Sequence, residues 1–444
     1  MLKGMSVTNG LLAIAGAGVL LLACGDDNVV ATATTSDAGS DAASGNDGDD
    51  ASMGDVGVET ALVCGEPTGG DYWGLSVPLT FPIDGQPIMR GVWEDDVKTG
   101  GERREISYLI DTGAQVTCFD SDLTGDDPIP FEAELIGLET TAVCNGIVKG
   151  CDLAEAEAYI GVDIEVLLGQ STMRRLYTYI DYKNAQAWLY HEAPETEPPG
   201  MAGVVPGVMA YERQNELPVA MVGLTDEVTL PLLTDTGSGV SIITAQFFDE
   251  LEAAYEGTLP RLDGYKWATN YGTDVAFITR APRFVLGDVV VEGEWIVVIP
   301  DEHHLRSLLE ESDIFIEGFL GFPHYRHFIT EFQGPTGLFR FWPYEDKDHI
   351  SVDEWHKVGL DVTTREGGPR VEMVFSPSDA STQGVEVGDV LLSIDGVNVS
   401  GSPADDVRRL LKGEVGESRE LILRRAGEEL TLEVKVDDLL PPLQ

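Results

Sequence analysis

The chain has 444 residues, of which 43% are apolar; it is too long for one ordinary domain and too apolar to be wholly disordered. Acidic residues dominate, with 77 Asp+Glu against 28 Lys+Arg and a formal net charge of −49. Such a surface repels phosphate backbones, so no nucleic-acid partner is expected, and no apolar run reaches the roughly 18–20 residues needed to span a bilayer.

The first twenty-four residues read as an export signal. Lys3 supplies a thin positive region, and Leu11 to Ala23 is an apolar stretch that suits a signal and is short for a span. It ends in Leu21-Leu22-Ala23-Cys24, which resembles the bacterial lipobox. That resemblance implies lipidation at Cys24 and a chain held in the bacterial cell envelope, at the outer membrane or periplasmic face, through its lipid alone. Residues 25–59 are mostly Asp, Ala, Ser, Gly and Thr, a composition that cannot bury enough apolar area to order itself. They read as an acidic tether. Asn46 to Asp50 lacks the closing Glu of a calcium loop and belongs to that linker.

Five cysteines are an odd number for an exported chain. Spending Cys24 on lipid leaves Cys64, Cys118, Cys144 and Cys151. Cys144 and Cys151 flank Asn145-Gly146, a turn dipeptide, so they are candidates to close a small loop, with Cys64–Cys118 following by elimination. Four reduced thiols are the alternative.

From about Asp71, short runs of Val, Ile, Leu, Tyr and Trp alternate with Gly/Pro/Asp turns, which is an all-β texture. Two segments repeat: Tyr108-Leu109-Ile110-Asp111-Thr112-Gly113-Ala114-Gln115-Val116-Thr117, and Leu232-Leu233-Thr234-Asp235-Thr236-Gly237-Ser238-Gly239-Val240-Ser241. A second echo follows each. Val166-Leu167-Leu168-Gly169 ends 58 residues after Asp111, and Gly318-Phe319-Leu320-Gly321 ends 86 after Asp235.

These segments resemble aspartic proteases, in particular the retropepsin-like bacterial branch, over roughly residues 70–345. The resemblance implies a mainly β fold: two retropepsin-like β-barrel halves, residues 60–195 and 208–345, forming an intramolecular pseudo-dimer. It implies a catalytic dyad of Asp111 and Asp235, with Thr112 and Thr236 locking the halves together. Gly113 and Gly237 turn the loops, and Gly169 and Gly321 back them. Ala114 and Ser238 lie beside the carboxylates. Ser238 offers a hydroxyl that Ala114 does not, which favours Asp235 as the more readily ionised partner. Flap candidates are the hairpin around Cys144–Cys151 and the segment Trp267–Thr273. No Gly-x-Ser-x-Gly elbow, paired Cys-x-x-Cys or His-Glu-x-x-His occurs, so no metal and no cofactor is expected, and His303-His304 and His324-x-x-His327 read as packing.

Residues 352–437 form a third unit. Gly388-Asp389-Val390 and Ile394-Asp395-Gly396 precede an amphipathic helix with Val407, Leu410 and Leu411 on one face, and two strands close it. This resembles a bacterial PDZ domain, β with one or two helices. The resemblance implies that Gly359 and Leu360 receive a peptide or C-terminal tail. With its own helix and strands, the unit is expected to fold independently of the rest.

The sequence thus reads as a monomeric, lipid-anchored aspartic endopeptidase acting on protein or peptide substrates. The alternative is a non-catalytic envelope peptide-binding or scaffold protein that keeps the fold.

Overall fold

A computed structural model describes residues 61–64, 76–81, 85–94, 103–120, 129–135, 143–151, 153, 157 and 162–443, the last stretch apart from 191, 227, 256–257, 270–271, 312–313, 351–353 and 366–367. The export signal, Cys24 and the tether lie outside the described residues. The fold is mainly β with a C-terminal PDZ domain.

One strand arrangement is built twice. In the first copy, strand Arg103–Ile110 pairs antiparallel with Ile88–Glu94 and parallel with Val166–Leu168. Cys118–Asp120 then pairs antiparallel with Val166–Leu168 and parallel with Val143–Cys151. In the second copy, Thr229–Thr234 pairs antiparallel with Leu217–Gly223 and parallel with Gly318–Leu320. Ile242–Thr244 pairs antiparallel with Gly318–Leu320 and parallel with Trp295–Ile299. The parallel strands run as unbroken apolar triplets, Val166-Leu167-Leu168 and Gly318-Phe319-Leu320, because both their faces are covered.

A six-stranded antiparallel sheet joins the copies. Its order is Val77–Thr80, Gln186–Tyr190, Tyr177–Asp181, Phe328–Gln333, Leu338–Pro343 and Gly207–Gln214. The seam between the halves is the pair Tyr177–Asp181 and Phe328–Gln333, with Thr330 opposite Ile180. Every residue of Phe328–Gln333 is buried, whereas Gly207–Gln214 at the edge alternates and turns only Met209 and Tyr211 deep inward. Glu331 is buried at the seam because Tyr179 Oη donates to its Oε1 at 2.9 Å and Trp342 Nε1 to its Oε2 at 2.8 Å.

The PDZ sheet runs Leu360–Arg365, Gly368–Val374, Val390–Ile394, Ser418–Arg425 and Glu428–Lys435, with the helix Ala404–Leu410 packed on its first strand. It is not an independent body. Trp355, Met373, Phe375, Leu439 and Leu440 share one core with Trp267, Trp295, Tyr265 and Phe319 of the second half. Asp263 and Ser376 exchange backbone hydrogen bonds at 2.7 and 2.9 Å. Arg280 donates to the Leu440 carbonyl through Nε at 3.0 Å and Nη2 at 2.8 Å. The module keeps a core of its own around Val362, Leu391, Leu421 and Val434, and in addition completes a second core with the second half.

The disulfide expectation is also corrected. Among the described residues Cys118 bonds Cys151, with Cα atoms 5.9 Å apart. Asn145-Gly146 does not turn the chain; Val143–Cys151 is one strand, so Cys144 and Cys151 stand about 23 Å apart at roughly 3.3 Å per residue. Cys64 instead faces Cys144 in the register between Ala61–Cys64 and Val143–Cys151.

Trp355 is 5% exposed and stacks edge-on against Trp295 at 5.4 Å. Trp355→Ala is expected to destabilise the protein by about 3–5 kcal/mol. Because the core is shared, thermal unfolding followed by probes in the second half and in the PDZ module should shift together.

Candidate active site

The two Asp-Thr-Gly segments meet at the seam. Each follows the last residue of a parallel-paired strand, and each is fixed by the same bonds. Asp111 N–H donates to the Leu168 carbonyl at 3.1 Å, and Asp235 N–H to the Leu320 carbonyl at 2.9 Å. The residue after each backing glycine repeats this: Gln170 N–H donates to the Ala114 carbonyl at 2.8 Å, Phe322 N–H to the Ser238 carbonyl at 2.9 Å. A Cβ on Gly169 would sit 2.2 Å from the Val116 carbonyl oxygen, and one on Gly321 2.2 Å from that of Val240. Both glycines are thus required by close approach of the loop they back.

The threonines exchange bonds across the seam. Thr112 N–H donates to Thr236 Oγ1 at 3.1 Å, and Thr236 N–H to Thr112 Oγ1 at 3.0 Å. Thr112 Oγ1 donates to the Thr234 carbonyl at 2.6 Å, and Thr236 Oγ1 to the Ile110 carbonyl at 2.8 Å. Each hydroxyl is donor and acceptor at once, and each is satisfied only by the other half.

This lock brings Asp111 and Asp235 together, both with 0% exposure. Gly113 N–H donates to Asp111 Oδ1 and Gly237 N–H to Asp235 Oδ1, each at 2.8 Å. The glycines also face the opposite acid. A Cβ on Gly113 would sit 2.4 Å from Asp235 Cγ, and one on Gly237 2.6 Å from Asp111 Cγ. The outer oxygens, Oδ2 of both acids, are buried and meet no N–H or hydroxyl donor among the described residues. The two carboxyls do lie within hydrogen-bonding reach of each other, which requires one proton between them.

Burial raises both acids. Asp111 is pushed well above the usual carboxylate range by burial and then by the charge of Asp235. Burial raises Asp235 to about 7, held from going higher by the Asp111 carboxyl and by backbone N–H groups of Gly237, Ser238 and Gly113. The expected cause of a readier ionisation at Asp235 is corrected. Ser238 Oγ donates to the Val240 carbonyl at 2.6 Å rather than to a carboxylate. The titration belongs to the pair.

Some partners escaped the sequence reading although their signal was present. Gly169 N–H donates to Thr117 Oγ1 at 3.0 Å, and Gly321 N–H to Ser241 Oγ at 2.9 Å. These are the hydroxyl residues that follow valine in both repeats. Ser241 also meets His324 Nδ1 at 2.7 Å, while Thr117 Oγ1 donates to Thr172 Oγ1 at 2.8 Å. His324 is thereby a packing residue, its pKa lowered by burial to about 3. His327 and Arg326 both bond the buried Glu294, at 2.7 and 2.9 Å.

The flap candidates take separate places. Val143–Cys151 pairs with Ile129–Leu135, and Trp267 is fully buried in a strand that docks on the PDZ sheet. The connection 136–142 and residues 270–271 lie outside the described residues. Gly359 and Leu360 sit at the start of the first PDZ strand. Leu360–Arg365 is an end strand of its sheet, with the helix Ala404–Leu410 beside its unpaired edge. Arg408 Nε donates to Asp361 Oδ1 at 2.7 Å, so the carboxylate next to Leu360 is neutralised.

A family model described as a PDZ domain matches residues 376–425. No curated protein matches the chain. Among solved structures, the chain is similar to the crystal structure of basic 7S globulin from soybean, at 8% identity and a TM-score of 0.38, over 64% of this chain and 95% of that one. Fold and comparison together define a mainly β protein that carries a C-terminal PDZ domain.

Two expectations follow from the site. Thr236→Val keeps the shape but leaves the Thr112 N–H and the Ile110 carbonyl without partners, and should cost about 2–6 kcal/mol at about 1–3 per buried group, read by denaturant unfolding. Asp235→Asn should raise stability at neutral pH. A folded-state pKa above the unfolded value makes ionisation a cost to the fold at high pH, and that cost vanishes as pH falls through the folded value toward the unfolded one. The gain in Tm should therefore be largest above about pH 7 and absent near pH 4.

Proposed function

We propose that this protein is an aspartic endopeptidase in which Asp111 and Asp235 hydrolyse peptide bonds with an activated water. The observation that carries the reading is the pair of Asp-Thr-Gly loops locked by exchanged threonine bonds, with two carboxyls buried face to face and their outer oxygens left without a donor.

Hydrolysis of an amide by water needs a base to take a proton from the water and an acid to protonate the carbonyl oxygen, then the leaving nitrogen. Two like charges this close cannot both ionise, so one proton is shared over a range of pH. The ionised partner removes the water proton while the protonated partner donates to the carbonyl. Either acid can take the base role, since Gly113 and Gly237 each donate one N–H to the acid of their own loop. The Oδ1 atoms are held by Gly113 and Gly237, so the Oδ2 atoms are those free to meet water and substrate. Because burial raises both acids, the singly protonated state extends toward neutral pH. Both carboxyls are at 0% exposure, which keeps the shared proton out of bulk water.

The substrates in this reading are proteins or peptides, with the PDZ module binding a peptide ligand. The lipobox-like Leu21-Leu22-Ala23-Cys24 supports the reading of an enzyme held in the bacterial envelope by a lipid anchor.

Asp111→Asn and Asp235→Asn should each lower hydrolysis of an internally quenched peptide library by about 10³-fold or more, since the two acids act as a unit. A pepstatin-like transition-state mimic should inhibit the wild type and a chelator should not. Unchanged turnover in either variant would place the catalytic groups elsewhere. Peptide binding with no turnover in the wild type would favour the scaffold reading.

A further inference from the structure

The two Asp-Thr-Gly loops are backed by different side chains at one equivalent place. Gln170 follows Gly169 in the first copy and Phe322 follows Gly321 in the second, and each opens a short helix, Gln170–Met173 and Phe322–Tyr325. Their backbone N–H groups make the same bond, to the Ala114 and Ser238 carbonyls. Their side chains do not. Gln170 Nε2 donates to the Thr112 carbonyl at 2.8 Å, while the Phe322 ring meets Tyr182 at 5.7 Å and has no N–H or O–H to give. Only a donor can meet a carbonyl oxygen, so the acceptor fixes which end of the Gln170 amide faces it.

The Thr112 carbonyl and the Gly113 N–H are the two ends of one planar peptide unit. Gly113 N–H donates to Asp111 Oδ1 at 2.8 Å and also helps to hold the pKa of Asp235 down. A donor on the carbonyl oxygen draws electron density out of the amide and makes its N–H a stronger donor. Gln170, the Thr112–Gly113 peptide and Asp111 therefore form one chain of hydrogen bonds that ends on a carboxyl. Packing does not account for it. Gln170 is fully buried, and its Oε1 meets no donor among the described residues, which counts against the fold. The second copy accepts an aromatic ring at the same place, so the architecture does not demand an amide there. The peptide that Gln170 reaches is also held still. Thr112 is fixed by its exchange with Thr236, Ser171 N–H donates to the Gln115 carbonyl at 3.0 Å, and Gln115 Nε2 donates to the Asn215 carbonyl of the other half at 2.8 Å.

We propose that Gln170 is a positioning residue that acts through the Thr112–Gly113 peptide to stabilise the single negative charge carried by the acid pair. The inference rests on the reading of Asp111 and Asp235 as a working pair, and it deepens that reading by naming a residue that tunes it from the first loop alone. A hydrogen bond to the ionised form lowers a pKa, so Gln170 holds down the lower of the pair's two apparent values, and the singly charged state begins at a lower pH. The titratable groups that face the pair are the two acids themselves and the hydroxyls of Tyr182 and Tyr325, which burial raises and keeps neutral.

The test compares the full wild-type chain with Gln170→Met, a side chain of similar reach and no donor. Threonine labelled with carbon-13 at its carbonyl and glycine labelled with nitrogen-15 together select only Thr–Gly peptide bonds, so the Gly113 and Gly237 amides can be followed by NMR through a pH titration that needs no turnover. In the variant the Gly113 amide proton should move upfield while that of Gly237 keeps its limiting shift. The midpoint that both amides report should rise by about half a pH unit, the size expected for weakening one charge-assisted hydrogen bond without losing it. Where the wild type hydrolyses an internally quenched peptide, the acid limb of its kcat/KM profile should rise by the same amount. A wild type without turnover would sink the peptidase reading, and the NMR midpoint would still decide the role of Gln170. An unmoved midpoint would overturn the proposal. Equal movement of the Gly113 and Gly237 amide protons would overturn it too, because the change would then be a general shift of the seam rather than one passed through a single peptide. If Gln170→Met does not fold, Gln170→Asn, which keeps an amide but is one methylene shorter, is read in the same way.

Discussion

Everything in this structure depends on the exchange of hydrogen bonds between Thr112 and Thr236. Each threonine sits with at most 1% exposure, and each places its hydroxyl between an N–H of the opposite loop and a carbonyl of the opposite strand. Neither half can close its own loop without leaving buried backbone groups unpaired, at about 1–3 kcal/mol for each. The duplicated strands, the six-stranded joining sheet and the distance between the acids are therefore one problem with one solution.

That solution concentrates an unfavourable element at the seam. Two carboxyls are removed from water and set against each other, which raises both and forces them to share a proton. The surrounding architecture holds them there. Gly113 and Gly237 give the space, since any Cβ would fall on the opposing carboxyl, and Gly169 and Gly321 let the backing strands press against the loops. Aromatic packing lies close by, in which Tyr182 stacks on Tyr325 at 6.5 Å and meets Phe322 at 5.7 Å.

The symmetry of the two copies ends at their partners. The second copy carries the PDZ module on the strand Leu262–Thr269 and shares a hydrophobic core with it and with the C-terminal Leu439 and Leu440. The module's first strand is consequently held in a fixed relation to the second half, which carries the Asp235 loop. Within the module Arg408 neutralises Asp361, and the Lys357 ammonium lies over the Trp355 ring.

The chain's local chemistry was legible in its residues. Duplicated Asp-Thr-Gly segments, the hydrophobic triplets ending in glycine and the alternation of short apolar runs are written within ten or so residues, and each has a local physical meaning: a turn, a buried strand, an acid beside small residues. The paired hydroxyls Thr117 and Ser241 were written there too, though their role emerges only when Gly169 and Gly321 donate to them. Pairings over long separations were legible only where the family resemblance supplied them, as for Asp111 with Asp235 and Thr112 with Thr236. Cys118 bonds Cys151 rather than Cys64, because Asn145-Gly146 lies inside a strand whose neighbours, not its turn propensity, decide its shape. Ser238 turns to its own loop instead of a carboxylate, a choice among nearby acceptors that composition does not rank. The shared core of Trp295 and Trp355 joins residues whose patterns each fit an independent domain. Sequence determines which groups are available and what each strand must bury; only tertiary structure decides which buried group meets which, because that depends on distances between segments that are far apart in the chain.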